Sequence, residues 1–302
     1  MKFSPGVVRL IARLDVKGPN LIKGIQFDGH RVLGVPEYFA DMYYKEGIDE
    51  FIFQDSVASL YCRNSLSDII KRTAKNVTVP ITIAGGLRSI DDIEKCLESG
   101  ADKVAINTAA VADPKLFDES VKVFGSQCIV ASIETYRHED GSYEIWTDYG
   151  RQETGIDTFD WVHQVVDTGV GEIFLTSINK EGKGEGYDID LVNRIATSVP
   201  IPVIALGGAG AMDDLVSVVN KGKADAVALA SCFHYNYCEK VEKKYMQFDE
   251  NELRMGRQID SGNITFLNYG YGGFTSVPVK KFSIPQAKKF MHDNGINVRM
   301  VS

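Results

Sequence analysis

The chain has 302 residues and a formal net charge of −8, with 44% hydrophobic and 25% charged residues. This composition is typical of a soluble globular protein, and the acidic balance argues against general nucleic-acid binding, which needs a basic face. The five cysteines lack the spacing of a disulfide framework or a metal site, which favours reduced thiols in the cytoplasm and predicts neither a metal nor a cofactor. Arg9 and Arg13 interrupt an N-terminal apolar run that is too short for a signal peptide, and no segment has the length of a membrane span.

Eight short apolar segments alternate with helical patterns along the chain. In chain order the predicted strands are 7–15, 50–55, 79–85, 102–107, 128–134, 172–178, 202–207 and 225–230. Most are continuous apolar runs, as expected for parallel strands that are covered on both faces. Between the third and fourth strands, Ser89 and Asp92 predict a helix N-terminus with a capping box, and Gly100 predicts the C-terminal cap.

The two halves of the chain also resemble each other. Residues 79–108 align with 201–231, and Glu50 aligns with Glu172 at a spacing of 122 residues. A repeat of this length is far above solenoid periods and indicates a duplicated half-barrel of four βα units. The sequence therefore predicts a single (β/α)8 TIM barrel over residues 1–302, whose active site lies at the C-terminal ends of the strands.

Each half places a carboxylate at the predicted end of its first strand. Asp15 ends strand one and Glu134 ends strand five. Because strands one and five of an eight-stranded ring face each other, these two side chains are expected on opposite sides of one barrel mouth. The simpler interpretation is a pair of exposed carboxylates bonded to loop amides. The internal repeat favours a catalytic pair.

Two glycine pairs predict phosphate sites at the same end of the barrel. "AGGLRS" follows strand three and "LGGAGAMDD" follows strand seven, and in each the backbone N–H groups and a following helix N-terminus can approach an anion. Tight βα turns would also use Gly-Gly, but two symmetric copies favour phosphate. The predicted phosphate-binding residues are Gly85, Gly86, Asn107 and Thr108 on one side, and Gly182, Gly207, Gly208, Ala230 and Ser231 on the other. Two such sites imply a long substrate with a phosphate at each end.

A set of motifs in order resembles the HisF family, the cyclase subunits of imidazole glycerol phosphate synthase. They are "RLIARLDVKG", "GIDEFIFQD", "GGLRS", "GADKVAINTAAV", "FGSQCIV", "GVGEIFLTSINKEGKGEGYD", "VIALGGAGAM" and "GINVR". The resemblance covers residues 7–235 and 283–299. It implies an ammonia-using lyase and cyclase that converts a bis-phosphorylated ribulosyl-aminoimidazole carboxamide to imidazole glycerol phosphate and aminoimidazole carboxamide ribotide.

The resemblance also implies residue roles. Asp15 matches the first of two catalytic aspartates, Glu134 falls on the second, and Lys23 matches a flexible first-loop lysine that helps to close over substrate. The matched charged ring at the opposite barrel entrance, which gates an ammonia passage, comprises Arg9, Glu50, Lys103 and Glu172. Ion pairing for stability is the alternative role for this ring. A retained gate implies a HisH-like glutaminase partner, docked as a heterodimer on the N-terminal barrel face.

Three departures from the family pattern bear on the substrate. Glu134 is one methylene longer than aspartate, the loop after strand six reads "NKEGK", and an insertion spans residues 239–282 before the last helix. The insertion reads as a surface excursion within the single barrel domain. These departures leave open a HisF-like paralogue that serves amidine formation on a surface-polysaccharide sugar, and also a non-catalytic phosphate-binding scaffold barrel. Neither nucleic acid nor membrane is expected as a partner.

Overall fold

The computed structural model describes residues 6–58, 66–238 and 279–300. The strands of these ranges are β1 (Arg9–Lys17), β2 (Asn20–Ile25), β3 (Asp28–Gly34), β4 (Glu50–Asp55), β5 (Ile81–Ala84), β6 (Lys103–Ile106), β7 (Ile129–Arg137), β8 (Tyr143–Thr147), β9 (Gln152–Asp157), β10 (Glu172–Ser177), β11 (Val203–Leu206) and β12 (Ala226–Leu229). The α-helices are α1 (Pro36–Lys45), α2 (Ser67–Thr73), α3 (Ile90–Glu98), α4 (Thr108–Ala112), α5 (Lys115–Phe124), α6 (Thr158–Asp167), α7 (Ile189–Ser198), α8 (Met212–Asn220), α9 (Ser231–Cys238) and α10 (Ile284–Asp293).

Eight of the strands form a closed parallel barrel. The order around the ring is β1, β4, β5, β6, β7, β10, β11 and β12, and β12 pairs in parallel with β1 again, with Arg9 opposite Ala226. Helices lie between successive barrel strands, so the predicted (β/α)8 TIM barrel and its eight strands are confirmed. None of the helices in the described ranges has the length and apolar character needed to cross a bilayer. Residues 239–278 of the predicted insertion lie outside the described residues.

Two antiparallel hairpins follow strands one and five of the barrel, and the sequence did not predict them. The hairpin β2–β3 extends β1, with Asp15 opposite Ile22. The hairpin β8–β9 extends β7, with Glu134 opposite Trp146. The predictions that strand one ends at Asp15 and strand five at Glu134 are therefore wrong, because β1 continues to Lys17 to pair with β2 and β7 continues to Arg137 to pair with β8. The duplicated halves thus carry matching covers over one barrel end.

Apolar side chains occupy two separate regions, one between strands and helices and one inside the barrel. The inner cluster comprises Ile11, Ile52, Ala84, Ala105, Val130, Phe174, Ile204, Leu206, Ala226 and Ala228. Because side chains alternate along a strand, the odd-numbered residues of β1 share the inner face with Ile11. Arg9 lies below this apolar layer, and Arg13 and Asp15 lie above it.

The predicted ends of α3 agree with the structure, except for one hydrogen bond at the N-terminus. Ser89 Oγ accepts a hydrogen bond from the Asp92 amide at 3.2 Å, and Gly100 follows the helix at φ +104°. The Asp92 carboxylate accepts from the Arg88 amide at 3.0 Å, one residue before the expected donor. The N-terminus is therefore capped, although the reciprocal bond of a capping box reaches the preceding residue.

Asp49 fastens the C-terminal helix to the barrel. Its Oδ1 accepts from Lys288 Nζ at 2.6 Å and from Arg299 Nε at 2.8 Å, and its Oδ2 accepts from the Leu10 amide at 2.9 Å. The Lys288 side chain is 1% exposed, so its ammonium depends on this carboxylate for compensation.

Asp49→Ala is expected to lower the free energy of unfolding by about 3 kcal/mol, because it leaves the buried Lys288 ammonium without a counter-charge. Lys289→Ala is the matched control on the same helix, since its pair with Asp293 is exposed, and it should cost less than about 0.5 kcal/mol. Urea unfolding measures both. Equal costs for the two variants would contradict the role given to Asp49.

Candidate active site

The two predicted carboxylates lie at the same end of the barrel on opposite strands. Asp15 stands near the end of β1 and is 2% exposed, and Glu134 stands near the end of β7 and is 4% exposed. Neither is a solvated strand-end carboxylate, so the simpler interpretation of the sequence does not describe them. Two buried carboxylates on facing strands can serve proton transfer on opposite sides of one bound molecule.

Glu134 is held by a backbone donor from the second hairpin. The Gly150 amide donates to Glu134 Oε2 at 2.9 Å. Burial raises the pKa of Glu134 to about 7, against the lowering effects of the Arg13 cation and the Gly150 bond. Glu134 can therefore both donate and accept a proton near neutral pH, as a general acid–base group requires.

Asp15 has a cationic neighbour on its own strand. Arg13 Nη2 lies 2.7 Å from Asp15 Oδ1, and both side chains are buried. The guanidinium also lies 5.2 Å from the centre of the Phe27 ring and 5.7 Å from that of Tyr149. Burial acts to lower the pKa of Arg13, but the carboxylates and Tyr149 around it raise the pKa above its ordinary value. Arg13 is thus a permanent cation at the centre of the mouth.

Lys23 lies in β2 and forms a second buried ion pair. Its Nζ donates to Glu181 Oε1 at 2.6 Å and to the Gly24 carbonyl at 2.8 Å. Burial alone would raise the pKa of Glu181, but the Lys23 and Arg13 cations lower it below its ordinary value. The lysine that the resemblance assigns to a flexible loop is therefore an ordered strand residue in this conformation.

The two hairpins meet above Arg13 and cover part of the mouth. The Phe27 and Tyr149 rings have centroids 4.3 Å apart. Tyr149 adopts a left-handed backbone (φ +59°), as does Asp148 before it (φ +51°), a conformation that costs free energy for non-glycine residues. A Cβ on Gly150 would stand 2.5 Å from the Phe27 ring, so only glycine allows this contact.

The first predicted phosphate site opens into a cavity of about 390 Å³. The cavity is lined by all four residues predicted for this site, Gly85, Gly86, Asn107 and Thr108, together with Glu134 and Tyr149. Gly85 has φ +96°, and a Cβ there would lie 2.5 Å from the Asp55 carbonyl. The Asn107 amide group donates to the Trp146 carbonyl at 3.2 Å, which leaves its buried oxygen without a partner among the described residues.

The second predicted site is present but nearly filled. Gly182, Gly207, Gly208, Ala230 and Ser231 line a space of only about 20 Å³, which is room for about one water molecule. The hairpin β2–β3 contacts the loop beside this space, because the Gln26 amide donates to the Glu181 carbonyl at 2.9 Å and a Cβ on Gly182 would lie 2.7 Å from the Gly24 carbonyl. The described residues that line the two sites form separate sets.

The four charged residues predicted for the other barrel face form a closed ring. Arg9 Nη1 lies 2.5 Å from Glu50, and Arg9 Nη2 also contacts Glu172. Lys103 Nζ lies 2.9 Å from Glu50 and 3.0 Å from Glu172. Each residue begins a barrel strand, so the ring surrounds the barrel axis at its N-terminal end. The apolar inner cluster separates it from the mouth.

Sequence reasoning did not single out Arg13 or Tyr149. One signal was available for Arg13, because residues two apart on a strand share a face and Arg13 stands two before Asp15. No comparable signal marks Tyr149, whose position depends on a turn between two strands that were not predicted. Glu181 was noticed only as part of "NKEGK", whereas the structure pairs it with Lys23.

Glu134→Gln tests the burial of this carboxylate through stability. The folded protein holds the Glu134 proton up to about pH 7, against an ordinary pKa of 4.5, so the stability it contributes is present below pH 4.5 and is lost as pH rises through 7. Glutamine cannot ionise, so the unfolding free energy of the variant relative to wild type should rise by about 2–3 kcal/mol between pH 5 and pH 8. The exposed Glu139→Gln is the control. Parallel pH curves for Glu134→Gln and wild type would contradict the assignment.

Comparison with known proteins identifies the family. The model of the family described as "Histidine biosynthesis protein" matches residues 9–239. The imidazole glycerol phosphate synthase subunit HisF of Legionella pneumophila is 54% identical over 207 residues, which cover 68% of this chain and 98% of the relative. The HisF subunit of Natranaerobius thermophilus is 42% identical over 248 residues, which cover 82% of this chain and 98% of that protein. The barrel, its mouth and these relatives together place the chain in the HisF family.

Proposed function

We propose that this chain is the cyclase subunit of an imidazole glycerol phosphate synthase and that it works on a bis-phosphorylated ribulosyl-aminoimidazole carboxamide with ammonia. The observation that carries the proposal is the pair of buried carboxylates, Asp15 and Glu134, on facing strands between two glycine-built anion sites. Both relatives described above bear the name of this synthase. The products are imidazole glycerol phosphate and aminoimidazole carboxamide ribotide.

The chemistry needs proton transfer at two places on one substrate. Ammonia must lose protons as its nitrogen forms new bonds to carbon, and the leaving ribotide nitrogen must gain one. Two carboxyl groups that differ in protonation can divide these tasks. Phosphate binding at both ends would hold the reacting atoms between them, which is the larger part of such catalysis.

The ammonia supply is assigned to the opposite barrel face. The ring of Arg9, Glu50, Lys103 and Glu172 surrounds the axis, and the apolar layer above it offers no partner for a charged ammonium ion. This arrangement supports passage of neutral ammonia from a HisH-like glutaminase docked at the N-terminal face. The ring would open transiently by exchange among its four ion pairs.

The purified chain with an excess of ammonium salt should convert the bis-phosphorylated intermediate to imidazole glycerol phosphate. Asp15→Asn should lower kcat at least about 100-fold, because general acid–base groups contribute on that scale, and circular dichroism should show an unchanged fold. Absence of turnover by wild type together with binding of a nucleotide-sugar would contradict the proposal and favour the HisF-like paralogue. Binding of neither ligand would favour the scaffold barrel.

Glu134→Asp tests whether the longer side chain is adapted to this substrate. The change withdraws the carboxylate by about 1.5 Å, and a displacement of about 1 Å in a catalytic group can cost about 100-fold in rate. We therefore expect ammonium-supported kcat to fall by a similar factor. A rise in kcat would mean that the mouth was built for another substrate.

Lys103→Met tests the ammonia passage separately from the chemistry. It removes one cation from the ring, so turnover supported by glutamine and a HisH-type partner should fall at least about 10-fold. Turnover supported by saturating ammonium salt, which bypasses the ring, should change less than about twofold. Lys95→Met is the control, since this lysine forms an exposed pair with Asp91. Equal loss in both assays would assign the ring to stability alone.

A further inference from the structure

The charges in the barrel mouth are unequal in number and unequally paired. Two buried cations, Arg13 and Lys23, lie among the buried carboxylates Asp15, Glu134 and Glu181, and a fourth buried carboxylate, Asp55, lines the cavity with Glu134. Lys23 pairs with Glu181 at 2.6 Å, and Arg13 pairs with Asp15 at 2.7 Å. Among the described residues no Lys, Arg or His nitrogen forms an ion pair with Glu134. Glu134 is therefore left without a cation of its own among the described residues.

Arg13 is attracted to Asp15 by charge and does not donate a pair of well-aligned hydrogen bonds to its carboxylate. The guanidinium is 1% exposed, and its Nε, Nη1 and Nη2 atoms have no hydrogen-bond partner with good geometry in the described residues. Its other contacts are aromatic faces, with Phe174 of the inner cluster 6.0 Å away on one side and Phe27 on the other. These rings fix the position of the cation between the apolar layer and the hairpin cover.

The two carboxylates also differ in what they face. Glu134 lines the open cavity beside the first phosphate site, whereas Asp15 does not line it. Tyr149 lines the same cavity, packs over the Arg13 guanidinium and interacts with Asp15, and burial together with this carboxylate raises the pKa of Tyr149. A molecule that enters this cavity therefore meets Glu134 directly, while Asp15 stays behind Arg13 and Tyr149.

We propose that Arg13 is a positioning residue that pairs with Asp15 and leaves Glu134 as the carboxyl group that exchanges protons with a molecule bound in the cavity. This division of roles rests on the proposed function. Asp15 then holds Arg13 in place as its ion-pair partner, and Glu134 is the group that donates and accepts the proton. Arg13 acts through both carboxylates without touching the substrate.

The groups that face Glu134 from the surrounding elements agree with this assignment. Arg13 on β1 lowers the pKa of Glu134, the Gly150 amide lowers it further, and Asp15 and Asp148 raise it. Arg13 has the largest effect of these charges, second only to burial itself. Removing the guanidinium must therefore move the titration of Glu134 upward, away from neutrality.

The test is the titration of Glu134 in the full chain without substrate. Protein labelled with ¹³C at the glutamate side-chain carboxyl carbon is followed by NMR across pH, and the Glu134 signal is assigned by its absence in Glu134→Gln. We expect a midpoint near pH 7 in wild type, a rise of at least about one pH unit in Arg13→Met, and a value closer to wild type in Arg13→Lys, which keeps the charge. The acidic and basic limbs of ammonium-supported turnover should move with it.

Arg13→Met leaves Asp15 buried and unpaired, so the double variant Arg13→Met/Asp15→Asn is measured beside it. Its Glu134 midpoint should also exceed the wild-type value, because the attraction removed is larger than the repulsion removed. A midpoint unchanged from wild type in the variants that fold would overturn the proposal. The expected shifts without turnover of the bis-phosphorylated intermediate would support the role of Arg13 and reject the proposed substrate instead.

Discussion

The closed barrel forces every second side chain of β1 toward one narrow axis, and the organisation of the molecule depends on that constraint. Arg9, Ile11, Arg13 and Asp15 follow one another along this axis, from the N-terminal ring through the apolar layer to the mouth. Charges inside such a space must be paired, because burial of an isolated ion is costly. The ring at the N-terminal end and the ion pairs at the mouth both meet that requirement, and the apolar layer separates them.

Because the two halves of the barrel repeat each other, similar hairpins cover both sides of the mouth. Strands one and five each continue beyond the barrel into an antiparallel hairpin, and each hairpin supplies one aromatic ring to the contact above Arg13. The two halves differ in the size of the space beside the predicted phosphate-binding residues. Beside β5 and β6 the cavity measures about 390 Å³, whereas beside β11 and β12 the space measures only about 20 Å³.

The barrel could be predicted from sequence because it depends on local and repeated features. These are the eight apolar segments and the repeat of Gly85–Gly86 at Gly207–Gly208. The predicted residues of both phosphate sites and of the ring also lie where the strand ends place them. The hairpins were not predictable, since their strands mix polar and apolar residues and their pairing depends on contacts across the mouth. The pairing of Lys23 with Glu181 depends on the hairpin β2–β3, so it could be learned only from the structure, whereas Arg13 stands two residues before its partner Asp15 on β1.

Gly150 shows how closely the cover is fitted. Its missing side chain admits the Phe27 ring from the other hairpin, while its amide holds Glu134. The turn between β8 and β9 therefore contacts both the Phe27 ring of the other hairpin and the Glu134 carboxyl group beneath it. Any movement of the hairpin β2–β3 away from the barrel would separate Phe27 from Tyr149 and Lys23 from Glu181. The hairpin β2–β3 is consequently held twice, once by an aromatic contact and once by an ion pair, so it can leave the barrel only if both contacts break together.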